Sequence, residues 1–133
     1  MKKLLPFSIM YFFFISSSFA QTKATDTTDE EHSAVQWTTA TSHNFGEIKQ
    51  GIPVSFTFEF VNVSKEPVVI SKGTVSCSCI SIAYTKEPVL PGNKGLVKLV
   101  YNAHAASRFL KSAEVIFNNH DRFTLQISGE VIQ

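Results

Sequence analysis

Residues 54–60 read VSFTFEF. Val54, Phe56, Phe58 and Phe60 alternate with Ser55, Thr57 and Glu59. A strand sends successive side chains to opposite faces, so this period of two predicts a half-buried β-strand with one aromatic face. Residues 123–131, FTLQISGEV, repeat the pattern with Phe123, Leu125, Ile127 and Val131 on the apolar side. Between them lie four less regular apolar runs: VVISKGT (68–74), CISIAY (79–84), LVKLVY (96–101) and KSAEVIF (111–117). VQWTT (35–39) opens the series.

Turn chemistry separates the runs. Gln50-Gly51, Lys65-Glu66-Pro67, Pro91-Gly92-Asn93 and Asn118-Asn119 supply residues that tolerate positive φ or preset it. Only HAASRFLKSAE (104–114) has helix-like composition, and a turn or single helical loop is expected there. About seven short strands with turns every 8–12 residues predict an all-β fold, an immunoglobulin-like antiparallel β-sandwich over residues 35–133. One buried face per strand predicts a core of Phe56, Phe58, Phe60, Ile70, Val97, Leu99, Tyr101, Val115, Phe117, Phe123, Leu125 and Ile127. Each contributes roughly 1.5–3 kcal/mol when fully buried.

Upstream of the strands the composition changes twice. Lys2-Lys3, an apolar run from Leu4 to Ile15, and Ser18 and Ala20 before Gln21 form the pattern of a secretory signal peptide over residues 1–20. Cleavage is expected between Ala20 and Gln21, with a periplasmic or secreted product and no integral membrane segment left after it. Residues 21–34, QTKATDTTDEEHSA, carry no bulky apolar side chain and read as a flexible acidic spacer containing His32. The whole chain holds 12 basic and 11 acidic residues. Loss of Lys2 and Lys3 leaves a near-neutral chain with no basic stripe for nucleic acid.

The chain has two cysteines, Cys77 and Cys79, one residue apart. An exported protein rarely keeps free thiols, so an oxidised or metal-bound pair is expected. On a flat strand residues i and i+2 stand ~6.6 Å apart with parallel side chains, too far for a disulfide unless the backbone bends at Ser78. Two thiolates on one soft ion such as Cu(I) span up to ~4.6 Å between sulfurs, which same-face neighbours reach more easily. A redox-active pair would lack the helix N-terminus that usually activates a thiol. Cys77 and Cys79 are therefore the candidate metal ligands, with a structural role, a Cu(I) site and a redox site all open. His43, His104 and His120 are distant in sequence and read as loop residues. Asn62-Val63-Ser64 has the spacing of a glycosylation acceptor. There is no Gly-rich phosphate loop, Gly-x-Ser-x-Gly elbow or His-Glu-x-x-His, so no enzyme and no catalytic residue is expected.

Five short features recur in order along the chain. They are Phe45-Gly46-Glu47-Ile48, Gly51 followed by VSFTFEFVN, Cys77-Ser78-Cys79, Pro91-Gly92, and Gly129-Glu130-Val131. From Thr41 to Val131 this order and spacing resembles a bacterial secreted family catalogued as domain of unknown function 1573. That family usually has Gly between the cysteines and Thr after them, where this chain has Ser78 and Ile80. The resemblance implies an immunoglobulin-like fold and export in bacteria, and it supplies no activity. Two classes of function remain. One is an exported binding or structural module that meets an unknown protein or envelope partner through loops or by edge-strand addition. The other is a periplasmic protein that handles Cu(I) or redox equivalents through Cys77 and Cys79.

The leader reading makes a mass prediction. Intact-mass analysis of the exported protein should find Gln21, free or cyclised, at the N-terminus. A product still beginning at Met1 would overturn it.

Overall fold

The computed structural model describes residues 33–133. The expected signal peptide, His32 and nearly all of the spacer lie outside them. Eight strands follow in order: β1 (Val35–Trp37), β2 (Ser42–Lys49), β3 (Val54–Asn62), β4 (Ile70–Val75), β5 (Ile80–Tyr84), β6 (Lys94–Tyr101), β7 (Arg108–Phe117) and β8 (Arg122–Ile132). They form two four-stranded sheets, ordered β1-β3-β6-β5 and β2-β8-β7-β4. This is the immunoglobulin-like sandwich expected from the alternation. Among the described residues no helix is long and apolar enough to cross a membrane.

The eighth strand arises because the first one is shared between the sheets. Val35–Trp37 pair antiparallel with β3. The chain then crosses over at Thr38–Thr41. Thr38 N donates to the Glu59 carbonyl at 2.9 Å, and Glu59 N donates to Thr39 Oγ1 at 3.2 Å. Two residues later Gln126 N donates to the Thr41 carbonyl at 2.9 Å, which hands the backbone to β8. From there β2 runs parallel to β8, so the second sheet is mixed rather than purely antiparallel. β2 was not among the expected strands, and Gly46 interrupts the alternation of its side chains. The register shifts between Asn44 and Glu47, where Gly46 takes φ +69°.

Two further differences have the same cause, pairing that overrides local preference. Residues 108–110, read as part of a helical loop, are the start of β7, because Arg108 to Ile116 pair without interruption against Glu130 to Arg122. The run CISIAY becomes a strand only from Ile80. Val68 lies outside β4 but forms an isolated bridge with Val89.

Ten of the twelve expected core residues are buried, while Phe56 and Phe123 are half-buried and pack against the cluster. Phe60 joins the layers: its ring lies edge-on to Trp37 at 5.4 Å and to Phe117 at 5.1 Å. Gly95 is its cross-strand partner. Any Cβ at Gly95 would fall inside van der Waals contact of the Phe60 ring, so that ring fills the space a side chain would take.

One end of the sandwich is tied by polar groups. Asn62 is fully buried. Its Nδ2 donates to the carbonyls of Glu66 at 2.7 Å and Val89 at 2.8 Å, and its Oδ1 accepts from Ser64 N and Ser64 Oγ. The amide nitrogen that a glycan would need is thus committed to the β3–β4 and β5–β6 loops. Asp121, in the β7–β8 turn, accepts from Ser33 Oγ, Ala34 N and Asn119 Nδ2. Partial burial opposes its charge, but the hydrogen bonds from Asn119, Ala34 and Ser33 outweigh it and hold the carboxyl below its ordinary range.

The register of β3 is directly testable. Phe58→Ala should cost roughly 3–5 kcal/mol in denaturant melts, as large core truncations do. Thr57→Ala, on the solvent face, should stay within about 1 kcal/mol. Equal costs would mean the faces are exchanged.

Candidate functional site

The cysteines sit where the chain changes sheets a second time. β4 ends on the second sheet, β5 begins on the first, and Ser76–Cys79 make the crossing. Ser76 N donates to the Ser112 carbonyl at 2.9 Å, and Ser112 N donates to Ser76 Oγ at 3.1 Å, so the departure point is stapled to β7. Ile80 N donates to the Cys77 carbonyl at 3.3 Å and closes the turn. Asn102 N donates to the Cys79 carbonyl at 3.1 Å, fastening the turn to the end of β6. The bend shortens the Cys77–Cys79 Cα separation to 5.2 Å, and the two sulfurs are joined as a disulfide. Both cysteines are half-buried against the core, and Ser78 between them is exposed.

Three other segments meet at this end. Gly51 N donates to the Ala103 carbonyl at 2.9 Å, Gln50 N to the Ile132 carbonyl at 2.8 Å, and Gln50 Nε2 to the His104 carbonyl at 2.8 Å. These bonds gather the 50–53 loop, the 102–107 loop and the end of β8 beside the cysteine turn. Ala103 is fully buried at φ +54°, a left-handed conformation that costs an L-residue roughly 1–2 kcal/mol. Its buried methyl and its bond to Gly51 hold it there. Ile52 and Ile132 remain 56% and 38% exposed, so an apolar surface persists where the loops are otherwise well pinned.

Lys111 is a half-buried charged side chain on β7. On β7 it shares a face with Phe109 and Ala113, which are buried. The ladder of β4 with β7 ends at Val75 opposite Ala113, and beyond it the chain leaves this sheet. The signal was visible in sequence as a lysine in an otherwise apolar series of alternate positions: Phe109, Lys111, Ala113, Val115, Phe117. Asn102 and Ala103 carried no such signal.

The histidines do not converge on the sulfurs. His43 lies in β2, stacked on Phe56 with ring centroids 3.8 Å apart and planes 10° apart. His104 is in the 102–107 loop, and His120 is in the β7–β8 turn beside Asp121. Among the described residues no three His, Cys, Asp or Glu side chains are grouped to hold a metal ion. Chemically the turn therefore offers a staple when oxidised and two thiolates when reduced, a set that suits a soft, low-coordinate ion better than zinc.

Comparison with known proteins bears on the fold. A family model described as a protein of unknown function, DUF1573, matches residues 35–131. The Vibrio cholerae VesB protease is similar in structure at a TM-score of 0.63 with 19% identity, over 75% of this chain and 32% of that one. A protein of unknown function from Porphyromonas gingivalis W83 gives 0.64 with 13% identity, over 73% of this chain and 46% of that one. PapD-like domain 7 of human CEP192 gives 0.61 with 13% identity, over 75% of this chain and 86% of the domain. This chain thus spans under half the length of the two bacterial proteins. At such identities these likenesses speak to the fold alone. No curated protein matches the sequence.

Proposed function

The chain belongs to the DUF1573 family, and from that premise we propose that it is an exported, non-enzymatic binding module whose partner is a protein of the cell envelope. The observation that carries this reading is the end of the sandwich bearing the cysteine turn. There three loops are fixed by backbone hydrogen bonds while Ile52 and Ile132 stay exposed. Exposed apolar groups on pre-ordered loops cost little further entropy on binding, which favours recognition of a folded partner. Export is supported by the leader-like residues 1–20 and by the paired cysteines.

A photo-crosslinking residue placed at Ile52 should give a discrete protein adduct in intact cells. The same residue at Gln36, exposed on β1, should not. Equal labelling at both positions, or none at Ile52, would overturn the docking assignment.

A second reading rests on the two sulfurs themselves, held half-buried on either side of the exposed Ser78. Reduction of the pair supplies two adjacent thiolates, the form that binds a soft metal or attacks a disulfide. On this reading the reduced protein takes up one Cu(I) per chain. The Cys77→Ala/Cys79→Ala variant stays folded, since a loop this short contributes under about 2 kcal/mol by closure, and takes up none. Equal uptake by both proteins would remove the reading.

A further inference from the structure

The two sheets have four edges: β1, β5, β2 and β4. Natural sandwiches blunt their edges with short strands, charges, prolines or bulges, because an open edge is a template for another strand. Three of these edges are blunted. β1 has three residues and pairs with β3 only at Phe60–Asn62, and the stretch of β3 beyond it carries Glu59. β2 is broken by the shift between Asn44 and Glu47. β4 is broken between Ile70 and Lys72 and carries that lysine mid-strand. β5 is different. Its residues Ile80-Ser81-Ile82-Ala83-Tyr84 hold one unbroken register against β6, and contain no charge, proline or glycine.

The ladder shows which backbone groups this edge offers. Asn102 N donates to the Cys79 carbonyl and Thr85 N donates to the Leu96 carbonyl at 3.0 Å. Antiparallel pairs alternate between bonded and non-bonded, so residues 79, 81, 83 and 85 direct their groups at β6. Ile80, Ile82 and Tyr84 therefore aim theirs outward. The Ile80 N–H is already taken by the Cys77 carbonyl. What remains is the Ile80 carbonyl and both groups of Ile82 and Tyr84.

We propose that the β5 edge pairs antiparallel with the β5 edge of a second copy of this chain, centred on Ile82. In that register Ile82 exchanges N–H and carbonyl with Ile82 of the second copy. Each Tyr84 N–H donates to the opposite Ile80 carbonyl. The ladder stops where the cysteine turn has already used the Ile80 N–H. The side chains repeat the symmetry: large, small, large, small, large about Ile82. Ser81 meets Ala83 of the second copy on the solvent face, and Ile80 meets Tyr84 of the second copy on the core-facing side. Lys86 falls opposite Ser78 of the second copy, so no like charges are opposed. This self-complementarity favours a second copy over an unrelated strand. The two-fold axis closes the assembly as a dimer and joins two four-stranded sheets into one. The edge is separate from the loop end at Ile52, so failure here leaves that reading intact.

Sedimentation equilibrium of the purified chain, as its cell processes it, should show a concentration-dependent dimer. Ile82→Pro removes the outward N–H without touching a bond to β6, and Ser81→Lys places a charge on the edge. Both should be monomeric across the same concentration series, while Ser42→Lys on β2 should dimerise as the unaltered chain does. Amide exchange at Ile82 and Tyr84 should slow as concentration rises, which tests the pairing even if Ile82→Pro fails to fold. A chain monomeric throughout, a dimer indifferent to Ser81→Lys, or exchange at both amides independent of concentration would each overturn the proposal.

Discussion

The contact between Phe60 and Gly95 sets the register on which the rest of the sandwich depends. The ring occupies the space where a side chain on β6 would stand. A slip of one residue would bring Lys94 or Leu96 to that place and turn Phe58 and Phe60 toward water. The same ring touches Trp37 of β1 and Phe117 of β7, and Trp37 in turn meets Phe123 of β8 at 5.6 Å. One aromatic side chain thus fixes the pairing within the first sheet and the packing of the first sheet on the second. Such edge-on pairs are worth about 0.5–1.5 kcal/mol each beyond the area they bury.

What the sequence made legible follows from this. VSFTFEF and FTLQISGEV lie in strands whose inner faces meet in the core, and their strict alternation is the imprint of one wet and one dry face. The less regular runs were legible as strands but not at their ends. Arg108–Leu110 hold no local β signal and become strand through nine consecutive pairings with β8. β2 escaped because a bulge breaks the period that alternation depends on. Its parallel alignment with β8 arises from a crossing at Thr38–Thr41, and no local pattern reports which sheet a strand will join.

The candidate site was half legible. Cys77 and Cys79 stand out in any reading because they are adjacent and alone. Their surroundings do not, since Asn102 and Gly51 come from two other segments and are brought there only by long-range hydrogen bonds. The turn itself was masked by the apolar run that follows it. CISIAY looks like one strand, yet Cys79 belongs to a change of sheet, and the ladder with β6 begins at Ile80.

The two ends of the domain are built on different principles. At one, Asn62 satisfies its amide group inside the protein, and Asp121 collects three donors, so loops are held by polar groups with their valences filled. At the other, backbone bonds do most of the holding, helped by the Gln50 and Ser76 side chains, around a pair of half-buried sulfurs. A buried polar group whose partners are all internal has no reason to meet another molecule, because any new bond would break an existing one. Exposed apolar carbon and an accessible disulfide carry no such penalty. Apolar side chains are exposed at both ends, Val63 and Leu90 beside Asn62 and Ile52 and Ile132 beside the cysteines, so it is the filled valences of Asn62 and Asp121, and not apolar exposure, that set the two ends apart.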